Sequence, residues 1–564
     1  MAQDQIVSAL SAVLSEMGAE PGEIQLERPR DPDHGDFSSN VAMTMARQLK
    51  KAPRQIAEEI ADRLDLAAAG VTAVEVAGPG FLNFRLSSGS VAEALRDALA
   101  DPGRYGDTAA GGDKPILVEW VSANPTGPLH AGHGRQAALG DAICRLLEWS
   151  GWTVYREFYY NDSGKQMERL ALSVWTRYQQ LVGRDAEMPE DGYQGEYVVE
   201  IAKAFQNQVG DRFAGDGSEA ALDEMRAFAV EILRADQDGD LTDLRIRFDN
   251  HFLESSLYTD GHVDKTVERL RATGHVYESE GATWLRTTDF GDDKDRVMLR
   301  SDGTATYFLP DVAYHMTKWD RGYHDAINVQ GADHHGTVAR VRAGVQALGL
   351  RTEYPEYVLH QMVRVERDGV EVKFSKRAGS YTTLRDLIEE VGVDVTRYFF
   401  LMRKPEAPLV FDLDQAMDQS DKNPVYKIQY AHARMHAICR KAELEPSEIS
   451  AEGVDLSVLS HELERELIKR LADFPEMVAK AAELRAPHLL CDFLEQTSGA
   501  VNGWYHAGNP SRSPELAVLS EDAGLRAARL VLVRAVMIVL HNGLGILGIS
   551  APDRMEREVE DASE

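Results

Sequence analysis

Two histidines, His130 and His133, flank Gly132 where an apolar run, Leu117-Val118-Glu119-Trp120-Val121, gives way to leucines and an isoleucine at 139, 143, 146 and 147. The run reads as a strand and the later spacing as a helix, so the pair is expected where a parallel strand hands over to a helix N-terminus. Such a turn suits phosphate, because unpaired backbone N–H groups and the positive end of the helix dipole point at whatever anion arrives. Gly132 lets the backbone come close, and each imidazole can donate an N–H to a phosphate oxygen. The competing reading is plainer: two histidines that only cap a strand-to-helix turn.

Far downstream the chain reads Val372-Lys373-Phe374-Ser375-Lys376-Arg377-Ala378-Gly379-Ser380. A His-x-Gly-His turn followed by a Lys-x-Ser-Lys loop resembles the paired signature of class I aminoacyl-tRNA synthetases. The wording around both motifs resembles the arginyl-tRNA synthetase family in particular. Supporting stretches are Ser122-Ala123-Asn124-Pro125-Thr126-Gly127-Pro128-Leu129, Tyr159-Tyr160-Asn161-Asp162-Ser163-Gly164 and Gly331-Ala332-Asp333-His334-His335, with His34-Gly35-Asp36-Phe37-Ser38-Ser39-Asn40 and Gly78-Pro79-Gly80-Phe81-Leu82-Asn83-Phe84 near the N-terminus. The resemblance thus covers nearly the whole chain. Its departures are small: Phe374 for the usual Met, Arg377 for a Ser, Ala131 between the histidines, and an acidic tail at 556–564, read as a solvated appendage.

The resemblance implies activation of arginine by ATP and transfer to the 3′-terminal adenosine of its tRNA. His130 and His133 would hold the α- and β-phosphates, Gly132 would admit the nucleotide, and Lys373 with Lys376 would clamp the departing pyrophosphate beside Ser375. Gly379 and Ser380 suit the hinges of a closing loop, and Thr383 with Asp386 forms a capping-box pattern that would start a helix at Leu384. Gly331 and Asp333 fit a ribose contact. Arginine needs carboxylates that fork onto a planar guanidinium; by resemblance Asp311 would pair with it and Tyr307 would bound it, while Glu119, Ser122, Asn124 and Gln330 would hold the α-amino and carboxylate end. Alternatively, Asp311 only complements a helix dipole and Glu119 is a plain surface carboxylate. Mg²⁺ should accompany ATP through its phosphates, and neither zinc nor any other dedicated metal site is expected. Competing functions are another class I synthetase, for glutamate or cysteine, a small nucleotidyltransferase sharing the His-x-Gly-His turn, and a noncatalytic RNA-binding module.

At 564 residues the chain is too long for one core, so three or four domains are expected. Hydrophobic residues at 43% and charged residues at 27% are ordinary globular values and exclude a disordered or fibrous chain. There is no apolar run of roughly eighteen residues and no basic-then-apolar leader, so a cytoplasmic protein without a membrane partner is expected. A monomer is also expected, although nothing in the sequence decides against a dimer. Cys144, Cys439 and Cys491 are too scattered for a local zinc motif and too few for a disulfide framework, and read as buried thiols. A formal net charge of −31 argues against a nucleic-acid partner, since phosphate contacts normally appear as basic surface. The tRNA expectation therefore leans on local basic clusters, Arg434, Arg440 and Lys441, and Arg526, Arg529 and Arg534.

These residues need a scaffold, and the pattern is α/β: a Rossmann-like doubly wound parallel sheet in the catalytic domain, an N-terminal α+β domain and a C-terminal all-α domain, which the resemblance implies is anticodon-binding. Residues 1–110 hold a strand pair about Gly78-Pro79-Gly80, and Asp101–Lys114 reads as a linker. The catalytic stretch, 115–415, has expected strands Ile116–Val121, Thr153–Tyr159, Ala326–Val329 and Tyr357–Val365, with a helical insertion at about 185–260. That insertion, around Tyr193-Gln194-Gly195-Glu196-Tyr197, is either a surface elaboration or tRNA-facing. Residues 425–555 are helical throughout, with Leu463, Leu467, Ile468, Leu471 and then Leu530, Val531, Val533, Val536, Met537 on buried faces.

Overall fold

The first helix, Ala2–Glu16, buries Ile6, Leu10, Val13 and Leu14, one stripe at helical spacing. This computed structural model describes residues 2–29, 31, 34–162, 164–372, 381–509 and 513–555. Strands β1 (Phe37–Ser39), β2 (Val71–Ala77) and β3 (Phe81–Leu86) form an antiparallel sheet in the order β1-β3-β2. The expected Gly-Pro-Gly turn joins the last two, with Gly78 at φ 50° and Gly80 at φ 137°, conformations that side-chain-bearing residues rarely adopt.

The central sheet contains β4 (Pro115–Glu119), β5 (Thr153–Tyr160) and β6 (Asn250–Leu253). A small antiparallel sheet follows, β7 (Val276–Ser279), β8 (Ala282–Leu285) and β9 (Arg296–Leu299), and then β10 (Ala326–Gly331) and β11 (Glu356–His360) return to the central one. The order is β11-β10-β4-β5-β6, all parallel. The chain runs outward from β4 to β6 and then crosses back to β10, so β4 and β10 flank the point where strand order reverses. In doubly wound sheets that crevice, at the carboxyl ends of the strands, is where ligands sit. The helix Ala131–Trp149 lies on this sheet with Leu139, Ile143, Leu146 and Leu147 fully buried. Gly140 is required there, since a Cβ would enter the ring of buried Trp120.

Two expectations about strands fail. The stretch 357–365 is not one strand: β11 ends at His360, and β12 (Val363–Arg367) leaves to pair with β13 (Val370–Glu371) and, in parallel, with β14 (Leu409–Asp412). The break is made from outside, because Gln361 N–H donates to the Pro405 carbonyl at 2.9 Å while Arg135 donates to the Gln361 carbonyl at 2.8 Å. Strand β6, which borders β5, falls inside the stretch read as insertion. The helices Lys165–Leu181, Glu196–Val209 and Glu219–Asp243 form a separate small core instead.

The C-terminal helices Pro424–Lys441, Glu462–Glu483, Pro487–Ala507 and Ala523–Ile546 share one apolar core with the sheet. Leu467, Ile468, Leu471, Val531, Val533 and Val536 are buried as expected; Leu463 is not, being 37% exposed. Nor is 101–114 a slack linker. Tyr105 is buried and donates its hydroxyl to the Leu471 carbonyl at 2.9 Å, and Asn542 donates to the Pro102 and Tyr105 carbonyls. All three cysteines are free and buried.

Candidate functional site

His130 is the N-cap of helix Ala131–Trp149, and its pairing with His133 is reciprocal. His133 N–H donates to His130 Nδ1 at 3.1 Å and His130 N–H to His133 Nδ1 at 3.4 Å, with the rings stacked 3.7 Å apart. An imidazole that accepts at Nδ1 carries its proton at Nε2, so both rings hold an outward N–H donor. Burial pushes the pKa of both below the usual histidine value, His133 well below, with the neighbouring rings adding to the shift at His133. The rings that cap the helix are thus the same two that keep an Nε2–H to donate, so capping and a donor role are compatible.

The backbone contribution is smaller than the sequence implied. His130 and His133 amides are taken by the rings, and Ala131 N–H donates to the Thr382 carbonyl at 3.2 Å. Gly132 also acts differently: a Cβ there would lie 2.9 Å from His130 Cε1, so glycine first makes room for the capping ring. Just before the turn, Val121 and Ser122 both have left-handed backbones, φ 65° and 44°. Two consecutive residues of that kind, one β-branched, are strain of the sort that accumulates at ligand sites.

Lys373, Ser375 and Lys376 lie outside the described residues, as do Gly379 and Ser380. The flanking residues are placed: Thr382 Oγ1 donates to the Val372 carbonyl at 3.1 Å, and Tyr381 to the Pro128 carbonyl at 3.2 Å. The loop's two ends therefore meet beside the His130 cap. The capping box beyond it forms as expected, with Thr383 and Asp386 bonded reciprocally ahead of helix Leu384–Val391. Across the crevice, Gly331 ends β10 and exposed Asp333 opens the next turn; a Cβ at Gly331 would collide with the Asp333 carboxylate. His360, at the end of β11, was not anticipated. Its Nδ1 lies 3.2 Å from the Gln361 carbonyl, which can only accept, while its buried Nε2 has no partner among the described residues. Burial pushes its pKa down to about 4, so it presents a neutral acceptor to the same crevice.

The second half of the site is acidic. Glu119 is buried: Oε1 accepts from Ser122 Oγ at 2.9 Å and Oε2 from Lys318 Nζ at 2.6 Å, with Lys318 also on Asn328 at 2.9 Å. Neither the surface reading of Glu119 nor a free carboxylate survives. Asp311, in the first turn of helix Phe308–Asp320, has no hydrogen-bond partner among the described residues. Its pKa is pushed up to about 7 by burial, then by the charges of Glu254 and Glu119, against the opposing pull of Arg340. A helix start alone would lower it, so the dipole reading does not account for it. Gln330 Oε1 is likewise buried without a partner, an orphan of the kind that a ligand satisfies. Tyr307 is 76% exposed and stands at the rim of a cavity of about 860 Å³ with Glu254, Ser255, Tyr258, Arg300 and Thr306. Asn124 turns its side chain to Gln166 at 2.6 Å.

The inserted helices brace this turn. Tyr197 donates to the Thr126 carbonyl at 2.8 Å, and Gln237 to the Asn124 and Gly127 carbonyls. Tyr197 thereby has a support role that neither sequence reading proposed. Among the basic residues suggested for RNA, Arg529 is withdrawn: it is 2% exposed, paired with Glu464 at 2.7 Å, and donates to two carbonyls. Arg434 lies over the rings of Tyr430 and Tyr505, and Lys441 is exposed.

Three family models match the chain: the arginyl tRNA synthetase N terminal domain over residues 2–86, the catalytic domain of class I (R) tRNA synthetases over 94–398, and the DALR anticodon binding domain over 428–555. An arginine–tRNA ligase of Thiobacillus denitrificans is 49% identical over 562 residues, 98% of this chain and 99% of that one. One from Geobacter metallireducens is 50% identical over 546 residues, 94% and 95% of the two chains. The solved structure of Thermus thermophilus arginyl-tRNA synthetase superposes with a TM-score of 0.77 at 26% identity, covering 98% of this chain and all of that one. With the same modules in the same order along nearly its whole length, the chain belongs to the arginyl-tRNA synthetase family.

Proposed function

We propose that the protein uses ATP to activate arginine as an adenylate and then esterifies the 3′-terminal adenosine of its tRNA. The observation that carries this is the carboxyl of Asp311, held near neutrality by burial beside Glu254 and Glu119 at the same sheet edge as the His130/His133 pair. A guanidinium would fork onto the Asp311 carboxylate and offset its repulsion with Glu254, a geometry that a point-like ammonium lacks.

In this reading Asp311 takes the guanidinium and Tyr307 covers it from the rim. Glu119, Ser122, Asn124 and Gln330 hold the α-amino and carboxylate end, so that the carboxylate lies in line with the α-phosphate. His130 and His133 donate Nε2–H to phosphate oxygens whose charge grows as the α–β bond breaks, and Lys373 and Lys376 neutralise departing pyrophosphate alongside Ser375. Gly331 and Asp333 take the ribose. Mg²⁺, held by the ATP phosphates, would supply further charge neutralisation. Residues 1–110 contact the tRNA elbow and 425–555 its anticodon; the protein acts as a cytoplasmic monomer. Among the described residues no helix is long and apolar enough to cross a membrane.

The test is arginine-dependent exchange of pyrophosphate into ATP, run with all twenty amino acids and with or without total tRNA. Exchange with arginine alone among the amino acids, and only when tRNA is present, is expected, since tRNA binding would shift the pocket to its productive form. Strong exchange with glutamate or cysteine would refute the substrate. Full arginine exchange without RNA would refute the coupling.

A further inference from the structure

In the C-terminal helical unit, remote in sequence from both signature motifs, three potential ligands converge. His432 and His436 stand one turn apart on helix Pro424–Lys441, and Asp553 lies in the segment that follows the last helix. One ligand atom from each lies within 4.8 Å of the other two. His432 is 2% exposed and its Nδ1 sits 3.0 Å from the Pro552 carbonyl. That carbonyl only accepts, so Nδ1 bears the proton and the Nε2 lone pair is left for another partner. This is the arrangement by which metal-binding histidines are oriented, the distal N–H fixed by a backbone carbonyl. His436 Nε2 is 3.0 Å from Asp553 Oδ1.

We propose that His432, His436 and Asp553 form a binding site for a divalent transition ion of the zinc type, which fastens the C-terminal segment to helix Pro424–Lys441. Two imidazoles and one carboxylate are a donor set for Zn²⁺ or Co²⁺; Mg²⁺ and Ca²⁺ prefer oxygen. Bonds of about 2.0–2.1 Å place tetrahedral ligands roughly 3.4 Å apart, and rotation of the Asp553 carboxylate, 69% exposed, closes the remaining gap. His541, whose ring centroid is 6.2 Å from that of His432, is not one of the three converging residues, and water would complete the shell. Arg440 donates to the Asp553 carbonyl at 3.1 Å and its charge opposes a cation, partly offset by Glu445. Micromolar affinity is therefore expected. The cysteine spacing that argued against zinc does not bear on this site, which contains no thiol.

Full-length protein freed of metal by chelation is titrated with Zn²⁺ and with Co²⁺, without ATP or tRNA, by calorimetry and by visible absorption. One ion per chain is expected, with the intense Co²⁺ bands of a low-coordinate N/O site. His436→Ala and Asp553→Asn, both at less buried positions than His432, should each weaken binding at least tenfold while circular dichroism stays unchanged. Absence of saturable binding at micromolar ion, or undiminished binding by the His436→Ala/Asp553→Asn double variant, would overturn the site.

Discussion

The ammonium of Lys318 meets the carboxylate of Glu119 at 2.6 Å with both charges shut away from solvent, 0% and 5% exposed. A candidate substrate-binding residue is thus anchored by a buried counter-charge from the helix that also carries Asp311.

Removing only Lys318 should be costly. Lys318→Met leaves Glu119 buried and uncompensated, a situation worth about 3–5 kcal/mol, whereas Lys318→Met/Glu119→Gln should recover most of it. Urea unfolding of the three proteins measures this; a single variant within about 1 kcal/mol of the parent would mean the pair is not buried as described.

His130→Asn separates cap from donor. The asparagine oxygen can still accept from His133 N–H, so stability should fall by no more than about 1 kcal/mol, while loss of the Nε2–H donor should lower the turnover number of arginine activation on the order of 100-fold. Equal activity with equal stability would remove His130 from the phosphate site.

Arginine affinity should depend on pH through Asp311. With its pKa at about 7 in the arginine-free protein, the binding-competent carboxylate is scarce below neutrality, so the dissociation constant should fall about tenfold between pH 6 and pH 8. The linkage for folding has the opposite sign: a carboxyl whose folded pKa is raised favours the folded state at low pH, and that stability is lost as pH rises from about 4 through 7. Asp311→Asn should flatten the binding profile and cost about 1.5–3 kcal/mol in arginine recognition. Calorimetric titrations that show one affinity at all pH values in the parent would exclude Asp311 as the guanidinium partner.

Truncation should depend sharply on where the cut falls. Removing 1–86 takes away the small sheet and the far wall of a cavity of about 560 Å³ lined by Arg28, Phe37, Asp97, Lys469 and Asp473. The remainder should unfold cooperatively but use tRNA poorly. Removing 1–110 also strips Leu95, Ala98 and Tyr105 from the core shared with the C-terminal helices, and should yield insoluble or non-cooperatively unfolding protein. Equal tRNA use by the shorter truncation and the whole chain would remove the N-terminal unit from RNA contact.

The sequence announces what local spacing encodes. Histidines three apart at a strand-to-helix junction, the Thr383/Asp386 cap and the Gly-Pro-Gly turn are short-range patterns, and each forms. The reciprocal hydrogen bonds of His130 and His133 depend on ring orientation, which spacing leaves open. Glu254, His360 and Lys318 were missed because they come from a strand end, another strand end and a helix face that only the crossover of the sheet brings together. The four residues of β6 offer too little periodicity to register beside a long helix, and the apolar alternation of 357–365 runs straight through a break imposed by Arg135 and Pro405.

The crossover from β6 back to β10 also sets a timetable for synthesis. Ala326, where β10 begins, follows Glu119 by about 200 residues, and ribosomes add roughly 5–20 residues per second. For roughly 10–40 s the nascent strand β4 has a neighbour on one flank and an open row of amide and carbonyl groups on the other, the kind of edge that recruits foreign strands. The His130/His133 turn is made early, yet it has no second wall until more than half the polypeptide has left the tunnel. Chaperone shielding of that interval should matter more to the yield of active protein than the final stability of the fold.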